Sequence, residues 1–128
     1  MIYAMSDIHG QYEQFLTLFE QIGIRKEDTL YILGDVVDRG PEPMKILKYM
    51  MAHSNIIPII GNHEVMALPN LKLLVPEVSR NFLDKLPPKV YRDFDNWTQN
   101  GSTSTIQDFR KLPQEERHQV VEYMKSFR

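Results

Sequence analysis

Three short polar segments of this sequence contain the residue types that bind cations and transfer protons. The first segment is Ser6–Gly10, the second is Gly34–Gly40 and the third is Gly61–Glu64. Carboxylate, amide and imidazole groups are ligands for divalent metals, and an imidazole beside a carboxylate can donate or accept a proton. Each segment directly follows a short apolar run that is typical of a strand. If these strands are parallel neighbours, the three segments meet at one edge of a sheet and form one site.

The first segment offers an oxygen and a nitrogen ligand. Asp7 and His9 are two positions apart. Residues with this spacing at the extended end of a strand point to the same face, so both side chains could bind one cation. An Asp-x-His triplet does not define a metal site without its neighbours.

The second segment is more informative because it sets two carboxylates and a guanidinium between two glycines directly after a strand. Asp35, at the end of the strand, could bridge two cations with its two oxygens. Asp38 could orient an imidazole, and Arg39 offers a planar fork of donors for phosphate oxygens.

The third segment supplies an amide and a second imidazole. Asn62 has an amide oxygen that could join a hard metal site, and His63 could protonate a leaving oxygen. A carboxylate on the other ring nitrogen would hold the tautomer of His63, and Asp38 is the candidate for that carboxylate. The two remaining histidines, His53 at a helix end and His118 on a polar helix face, fit no cluster.

Elements that position these segments can be predicted from hydrophobic periodicity. The first half of the chain alternates between strands and helices, which predicts an α/β fold with a small, mainly parallel sheet and flanking helices. The predicted elements are, in order, a strand at Ile2–Ser6, a helix at Gln11–Gly23, a strand at Thr29–Leu33, a helix at Pro41–His53 and a strand at Asn55–Ile60, in which Pro58 indicates an edge or an irregularity.

The second half of the chain has no further strand pattern and is predicted to be helical. Prolines 69, 76, 87, 88 and 113 are expected to break it into short pieces. Helices are predicted at Val78–Leu86, at Val90–Trp97 and at Pro113–Phe127, with a turn at Asn100–Ser102.

Composition excludes several classes of function. The 128 residues predict one domain, and 15 Lys+Arg against 17 Asp+Glu give a net charge of -2, which disfavours nucleic acid as a partner. The chain has no cysteine, so a metal must be held by oxygen and imidazole nitrogen. No signal peptide or membrane span is recognisable, so we expect a cytoplasmic protein without a membrane partner.

In this order and spacing, the three segments resemble the first three motifs of the calcineurin-like metallophosphoesterases. Within that superfamily they are most similar to the bacterial and phage branch of the serine/threonine phosphoprotein phosphatases. Trp97–Thr105 also resembles a segment of that branch with Trp, Asn-Gly and Thr. The resemblance covers nearly all of this sequence but only the front half of the family's catalytic domain, an αββα sandwich.

The resemblance implies a reaction and a set of roles. The reaction is hydrolysis of a phosphomonoester, in a phosphorylated protein or a small molecule, by a metal-bound hydroxide. Manganese is the expected cofactor, with iron or zinc as alternatives. By similarity the metal ligands are Asp7, His9, Asp35 and Asn62, and the catalytic residues are the general acid His63, its partner Asp38 and the phosphate-binding Arg39.

The family pattern continues beyond the part that this chain resembles, into a second sheet with further histidine ligands. Residues 1–128 are therefore expected to form a single, incomplete domain. We expect this domain to hold the second metal only weakly and to have low or no activity by itself. The sheet face that the second sheet would cover should be apolar, which predicts a homo-oligomer or pairing with another chain. Two alternatives remain open: a dinucleoside polyphosphate hydrolase, and a non-catalytic metal-binding or interaction module.

Overall fold

The computed structural model describes all 128 residues as three strands and six α-helices. The elements are β1 (Ile2–Met5), α1 (Tyr12–Ile22), β2 (Thr29–Ile32), α2 (Pro43–Met51), β3 (Ile56–Pro58), α3 (Asn62–Leu74), α4 (Pro88–Gln99), α5 (Thr103–Arg110) and α6 (Gln114–Lys125). No helix is both long enough and apolar enough to cross a membrane.

The three strands form one parallel sheet in the order β1-β2-β3. In the register, Tyr3 lies opposite Leu30, and Leu30 lies opposite Ile56. Strands in sequential order joined by crossovers of the same hand place their helices on one face of the sheet. The predicted α/β class with a small parallel sheet is confirmed.

One face of the sheet packs on the helices and the other is open. Leu30 and Ile32 of β2 are fully buried. The opposite face carries Ile2, which is 71% exposed, Leu33, which is 47% exposed, and the half-buried Tyr31. The face is apolar, as expected, whereas the oligomer that would cover it stays a prediction.

The core lies between the sheet and the helices of both halves of the chain. Helix α2 packs on α1, α5 and α6, and α3 packs on α4 and α6. The largest fully buried side chains include Trp97 of α4 and Phe109 of α5. The helical second half therefore belongs to the same core as the sheet.

Helix α3 corrects the sequence prediction at Pro69, which was expected to break the chain. The helix runs through this proline to Leu74. Proline lacks the N–H that would bond to the carbonyl of Val65, but Val65 is 58% exposed, so water can reach that turn. Buried side chains on the inner face, among them Ala67 and Leu71, hold the helix in place.

A second correction concerns Val78–Leu86, which was predicted to be a helix. Only a single 3-10 turn at Leu83–Lys85 forms there, and none of its residues is buried. Val78 and Phe82 of this segment pack against the core but are only partly buried, and tertiary packing of an apolar face supplies most of the stability of a helix. Helices at Val90–Trp97 and Pro113–Phe127 are confirmed as α4 and α6, whereas α5 was not predicted.

The chain end lies beside β3. The N–H of Arg128 donates to the carbonyl of Pro58, and the N–H of Ile60 donates to the carbonyl of Arg128, both at 3.2 Å. These two bonds flank Ile59 in the pattern of a parallel pair. They support the backbone directly before the third segment.

Substitution of Leu30 by Ala tests the placement of the core. Because Leu30 is 0% exposed, we expect the free energy of unfolding to fall by about 2–5 kcal/mol, from lost burial and the cavity left behind. Urea unfolding followed by circular dichroism measures it. Leu33→Ala, which removes the same atoms from the open face, is the matched control and should cost less than about 1 kcal/mol. An equal loss in both variants would contradict an open face.

Candidate metal centre and active site

Two close approaches between glycine backbones bring the three segments into contact. A Cβ atom added at Gly10 would lie 2.6 Å from the carbonyl carbon of Gly40, and one at Gly34 would lie 2.5 Å from the Cα atom of Gly61. Real side chains do not fit at such distances. The first segment therefore packs on the second, and the second packs on the third, only because these positions are glycine.

Backbone strain is concentrated at the predicted site. The chain has five non-glycine residues with positive φ, and all are predicted site residues: Asp7 (φ 54°), His9 (43°), Asp35 (56°), Asp38 (73°) and Arg39 (71°). Such conformations cost of order 1–3 kcal/mol each and persist where the surroundings impose them. The expectation that Asp7 and His9 lie on an extended strand end was wrong, because β1 ends at Met5.

Three predicted metal ligands come together at the ends of β1 and β2. One ligand atom each of Asp7, His9 and Asp35 lies within 4.8 Å of the others. His9 Nδ1 lies 2.9 Å from the carbonyl oxygen of Val37 and must donate to it, since a carbonyl only accepts. This bond leaves His9 Nε2 free as a ligand. Two carboxylates and an imidazole nitrogen fit a divalent cation such as manganese, iron or zinc.

Asn62 lies beside this group as the first residue of α3, with an exposed side chain. The preceding Gly61 approaches Asp35 so closely that an added Cβ would lie 2.6 Å from Asp35 Oδ1. The same Oδ1 accepts from the backbone N–H of His63 at 3.0 Å. These contacts place the third segment directly beside the predicted metal ligands. The exposed side chain of Asn62 could bind a second cation there.

The carboxylate of Glu64 ties the second and third segments together. Its Oε1 accepts from the N–H of Asp35 at 2.6 Å and of Gly61 at 3.0 Å, and its Oε2 accepts from Val36 at 2.9 Å and Val37 at 3.2 Å. Burial raises the pKa of Glu64, and these donors oppose the shift. Only the ionised form has acceptors on both oxygens for all four donors.

Sequence reasoning missed this role of Glu64. The residue is the third of α3, where a glutamate can reach back to the N-cap N–H, and Gly61 occupies the N-cap. The sequence contained a signal for this helix start, namely a glutamate three positions after a glycine and directly before an apolar run. It was masked because the third segment was treated as a loop instead of the first turn of a helix.

Asp38 and His63 form a buried pair. His63 Nδ1 lies 2.7 Å from Asp38 Oδ2, and Asp38 is 0% exposed. The His63 ring stands edge-on to the ring of His9, with centroids 4.7 Å apart. The Asp38 carboxylate also accepts from Trp97 Nε1 at 2.8 Å and from Thr105 Oγ1 at 2.9 Å. Because Nδ1 of His63 is engaged, Nε2 is the ring nitrogen left for proton transfer beside the metal ligands.

Arg39 lies next to this pair with an exposed side chain that forms no ion pair. Its backbone N–H donates to the carbonyl of Gly101 at 2.9 Å, and this bond holds the backbone from which the side chain extends. A free guanidinium at the rim of a metal site can bind phosphate oxygens in a bidentate manner.

The site combines candidate acidic and imidazole metal ligands at the carboxyl ends of parallel strands, an imidazole bonded to a buried carboxylate, and an exposed arginine, which are residue types suited to metal-dependent phosphoester hydrolysis. The family model of calcineurin-like phosphoesterases matches residues 1–125. The chain belongs to this family.

Curated relatives and a solved structure are similar to this chain. The symmetrical bis(5'-nucleosyl)-tetraphosphatase of Buchnera aphidicola subsp. Acyrthosiphon pisum (strain 5A) is 32% identical over 115 residues, which cover 86% of this chain and 41% of the relative. The enzyme of the same name from Salmonella paratyphi B is 30% identical over 117 residues, with coverages of 86% and 40%. A metallophosphoesterase from Sphaerobacter thermophilus has a TM-score of 0.57 and 21% identity over 99% of this chain and 40% of its own. The chain thus spans about 40% of the length of these proteins.

Substitution of Glu64 by Gln tests the tie between the segments. A glutamine amide accepts through one oxygen only and turns an N–H₂ group toward two of the four donors, so we expect a loss of about 1–3 kcal/mol in the free energy of unfolding. Thermal and urea unfolding measure it. Glu115→Gln removes an exposed carboxylate from the first turn of α6 and is the matched control. Equal stability of the two variants would show that the four contacts contribute nothing.

Metal titration tests the ligand group. We expect Mn²⁺ to raise the melting temperature of the chain, because a ligand that binds only the folded state at a hundred times its Kd stabilises it by about 2.7 kcal/mol. His9→Gln should weaken Mn²⁺ binding more than about tenfold in isothermal calorimetry. His118→Gln changes an exposed histidine outside the group and should bind as the wild type does. Identical affinities in all three proteins would rule out His9 as a ligand.

Proposed function

We propose that this chain carries the front part of the active site of a symmetrical dinucleoside tetraphosphatase. The reaction adds one water across the central P–O–P linkage of a dinucleoside tetraphosphate and gives two nucleoside diphosphates. The coarser function, metal-dependent phosphoester hydrolysis, follows from the family to which the chain belongs.

The observation that carries the proposal is the buried His63–Asp38 pair beside the metal ligands. The 2.7 Å contact between His63 Nδ1 and Asp38 Oδ2 fixes the ring, which stands 4.7 Å from that of His9. A proton donor held at this place faces the leaving oxygen of a phosphate bound at the metal ligands. A merely structural metal site has no use for such a donor.

Each predicted site residue has its own role in this reaction. Divalent cations held by Asp7, His9, Asp35 and Asn62 would supply Lewis-acid activation of water and neutralise phosphate charge. Arg39, exposed and without an ion pair, binds the phosphate oxygens and orients the phosphorus atom. His63 gives the proton on Nε2 to the departing phosphate oxygen, and Asp38 stabilises the imidazolium before the transfer.

The tetraphosphatase is preferred over the phosphoprotein phosphatase suggested by the sequence resemblance for two reasons. Curated relatives covering most of this chain are tetraphosphatases. In addition, Glu64, which follows His63 in the third segment, is 0% exposed and bonded to backbone N–H groups. A side chain so placed cannot contact a substrate, so it does not discriminate between substrate classes.

Product analysis tests the proposal. The chain with added Mn²⁺ is incubated with diadenosine tetraphosphate, with a phosphothreonine peptide and with p-nitrophenyl phosphate, and the products are separated by ion-exchange chromatography. We expect ADP as the only nucleotide product and faster turnover of the dinucleotide than of the peptide. Asp35→Asn should lower turnover by more than about a hundredfold, since it removes a charge from the metal site.

The matched control is Asp84→Asn, which removes an exposed carboxylate from the 3-10 turn and should leave turnover unchanged. Release of AMP and ATP, or preference for the phosphopeptide, would contradict the symmetrical tetraphosphatase. A folded, metal-loaded chain without turnover on all three compounds would favour the non-catalytic metal-binding alternative.

A further inference from the structure

The α4–α5 corner, residues 97–105, is packed against the second segment although nearly 60 residues separate them along the chain. Three of its residues make hydrogen bonds with Asp38 and Arg39, namely Trp97, Gly101 and Thr105. The sequence indicated this stretch only through a family resemblance, without a role. Its contacts assign one.

Two side chains of the corner hold the carboxylate of Asp38. Trp97 Nε1 donates to Oδ2 at 2.8 Å and Thr105 Oγ1 donates to Oδ1 at 2.9 Å, so each oxygen has its own donor. An indole N–H can only donate, which identifies Oδ2 as an acceptor. The contact between the same oxygen and His63 therefore uses a proton on Nδ1.

Thr105 also fixes the backbone of Asp38. Its Oγ1 accepts from the N–H of Asp38 at 2.8 Å while its proton goes to Oδ1 of the same residue. Both Asp38 and Thr105 are 0% exposed. Asp38 has a φ of 73°, and a single hydroxyl that bonds to both its N–H and its carboxylate selects this strained conformation together with one side-chain rotamer.

The corner meets Arg39 through its backbone. The carbonyl of Gly101 accepts from the N–H of Arg39 at 2.9 Å, and a Cβ added at Gly101 would lie 2.9 Å from Cγ of Arg39. Gly101 itself has a φ of 96°. The corner thus constrains two successive left-handed residues, one that holds His63 and one with a free guanidinium.

We propose that Trp97 and Thr105 are positioning residues for the proton donor, a role that rests on the function proposed for His63. They act through Asp38: by donating to both of its oxygens they keep it an acceptor in one orientation, and this orientation holds the Nδ1–H tautomer of His63 with Nε2 toward the metal ligands. The competing explanation is that Trp97, which packs edge-on against Phe94 with centroids 5.9 Å apart, only fills the core.

Proton NMR of the 128-residue chain in Mg²⁺ buffer separates the two explanations without a turnover measurement. The sequence has one tryptophan and four histidines, so the indole signal needs no assignment, and the Nδ1–H signal of His63 is assigned by its loss in His63→Gln. A proton between Nδ1 and a carboxylate is expected far downfield and protected from exchange.

We expect Trp97→Phe, which keeps a ring in the core, and Thr105→Val, which keeps the shape, to remove the protected Nδ1–H signal. Thr105→Ser keeps the hydroxyl and should restore it. Thr103→Val alters an exposed threonine of the same helix and should leave it unchanged. Asp38→Asn should shift the indole N–H signal of Trp97 upfield.

Folded Trp97→Phe and Thr105→Val variants with an unchanged His63 signal would overturn the proposal, as would the absence of a protected Nδ1–H signal in the wild type. If Thr105→Val does not fold, Trp97→Phe decides. A chain with these NMR signatures but without tetraphosphatase activity would contradict the proposed function and leave the positioning intact.

Discussion

Four backbone N–H groups from two separate segments converge on the carboxylate of Glu64, and the rest of the site depends on this convergence. The N–H of Asp35 is one of them, so Glu64 holds the backbone of a candidate metal ligand directly. The cost of burying the anion is offset by the four donors and by the N-terminus of α3, whose dipole favours negative charge. The strained residues of the second segment keep their conformations because this carboxylate and the glycine contacts leave no alternative.

Two buried carboxylates have complementary tasks in this site. Glu64 bonds only to main-chain groups and sets the shape of the loops, whereas Asp38 bonds to side chains and sets the orientation of an imidazole. Neither carboxylate is paired with a lysine or arginine side chain, and the only basic partner is the imidazole of His63 on Asp38. Together with Asp7 and Asp35, the two carboxylates give the site an excess of negative charge, which favours the binding of cations there.

Much of this arrangement could be predicted from local sequence. The three strands, α1, α2 and α6 have clear periodicity, and the polar segments after the strands predicted the contact of Asp38 with His63 and the grouping of the candidate metal ligands Asp7, His9 and Asp35. What failed depended on tertiary packing. Pro69 lies within a helix because the inner face of α3 is buried, whereas Val78 and Phe82 pack only partly buried against the core and no helix forms over Val78–Leu86. Trp97 and Thr105 lie 59 and 67 positions from Asp38, a distance over which no periodicity carries information.

That separation along the chain has a consequence for the order in which the protein matures. The three segments and the sheet leave the ribosome before residues 97–105, since synthesis proceeds from the N-terminus. The carboxylate of Asp38 then lacks two of its donors until the α4–α5 corner emerges and docks, and contacts of such long range form slowly. The candidate metal ligands are thus synthesised before the two residues whose donors complete the hydrogen bonds of the Asp38–His63 pair.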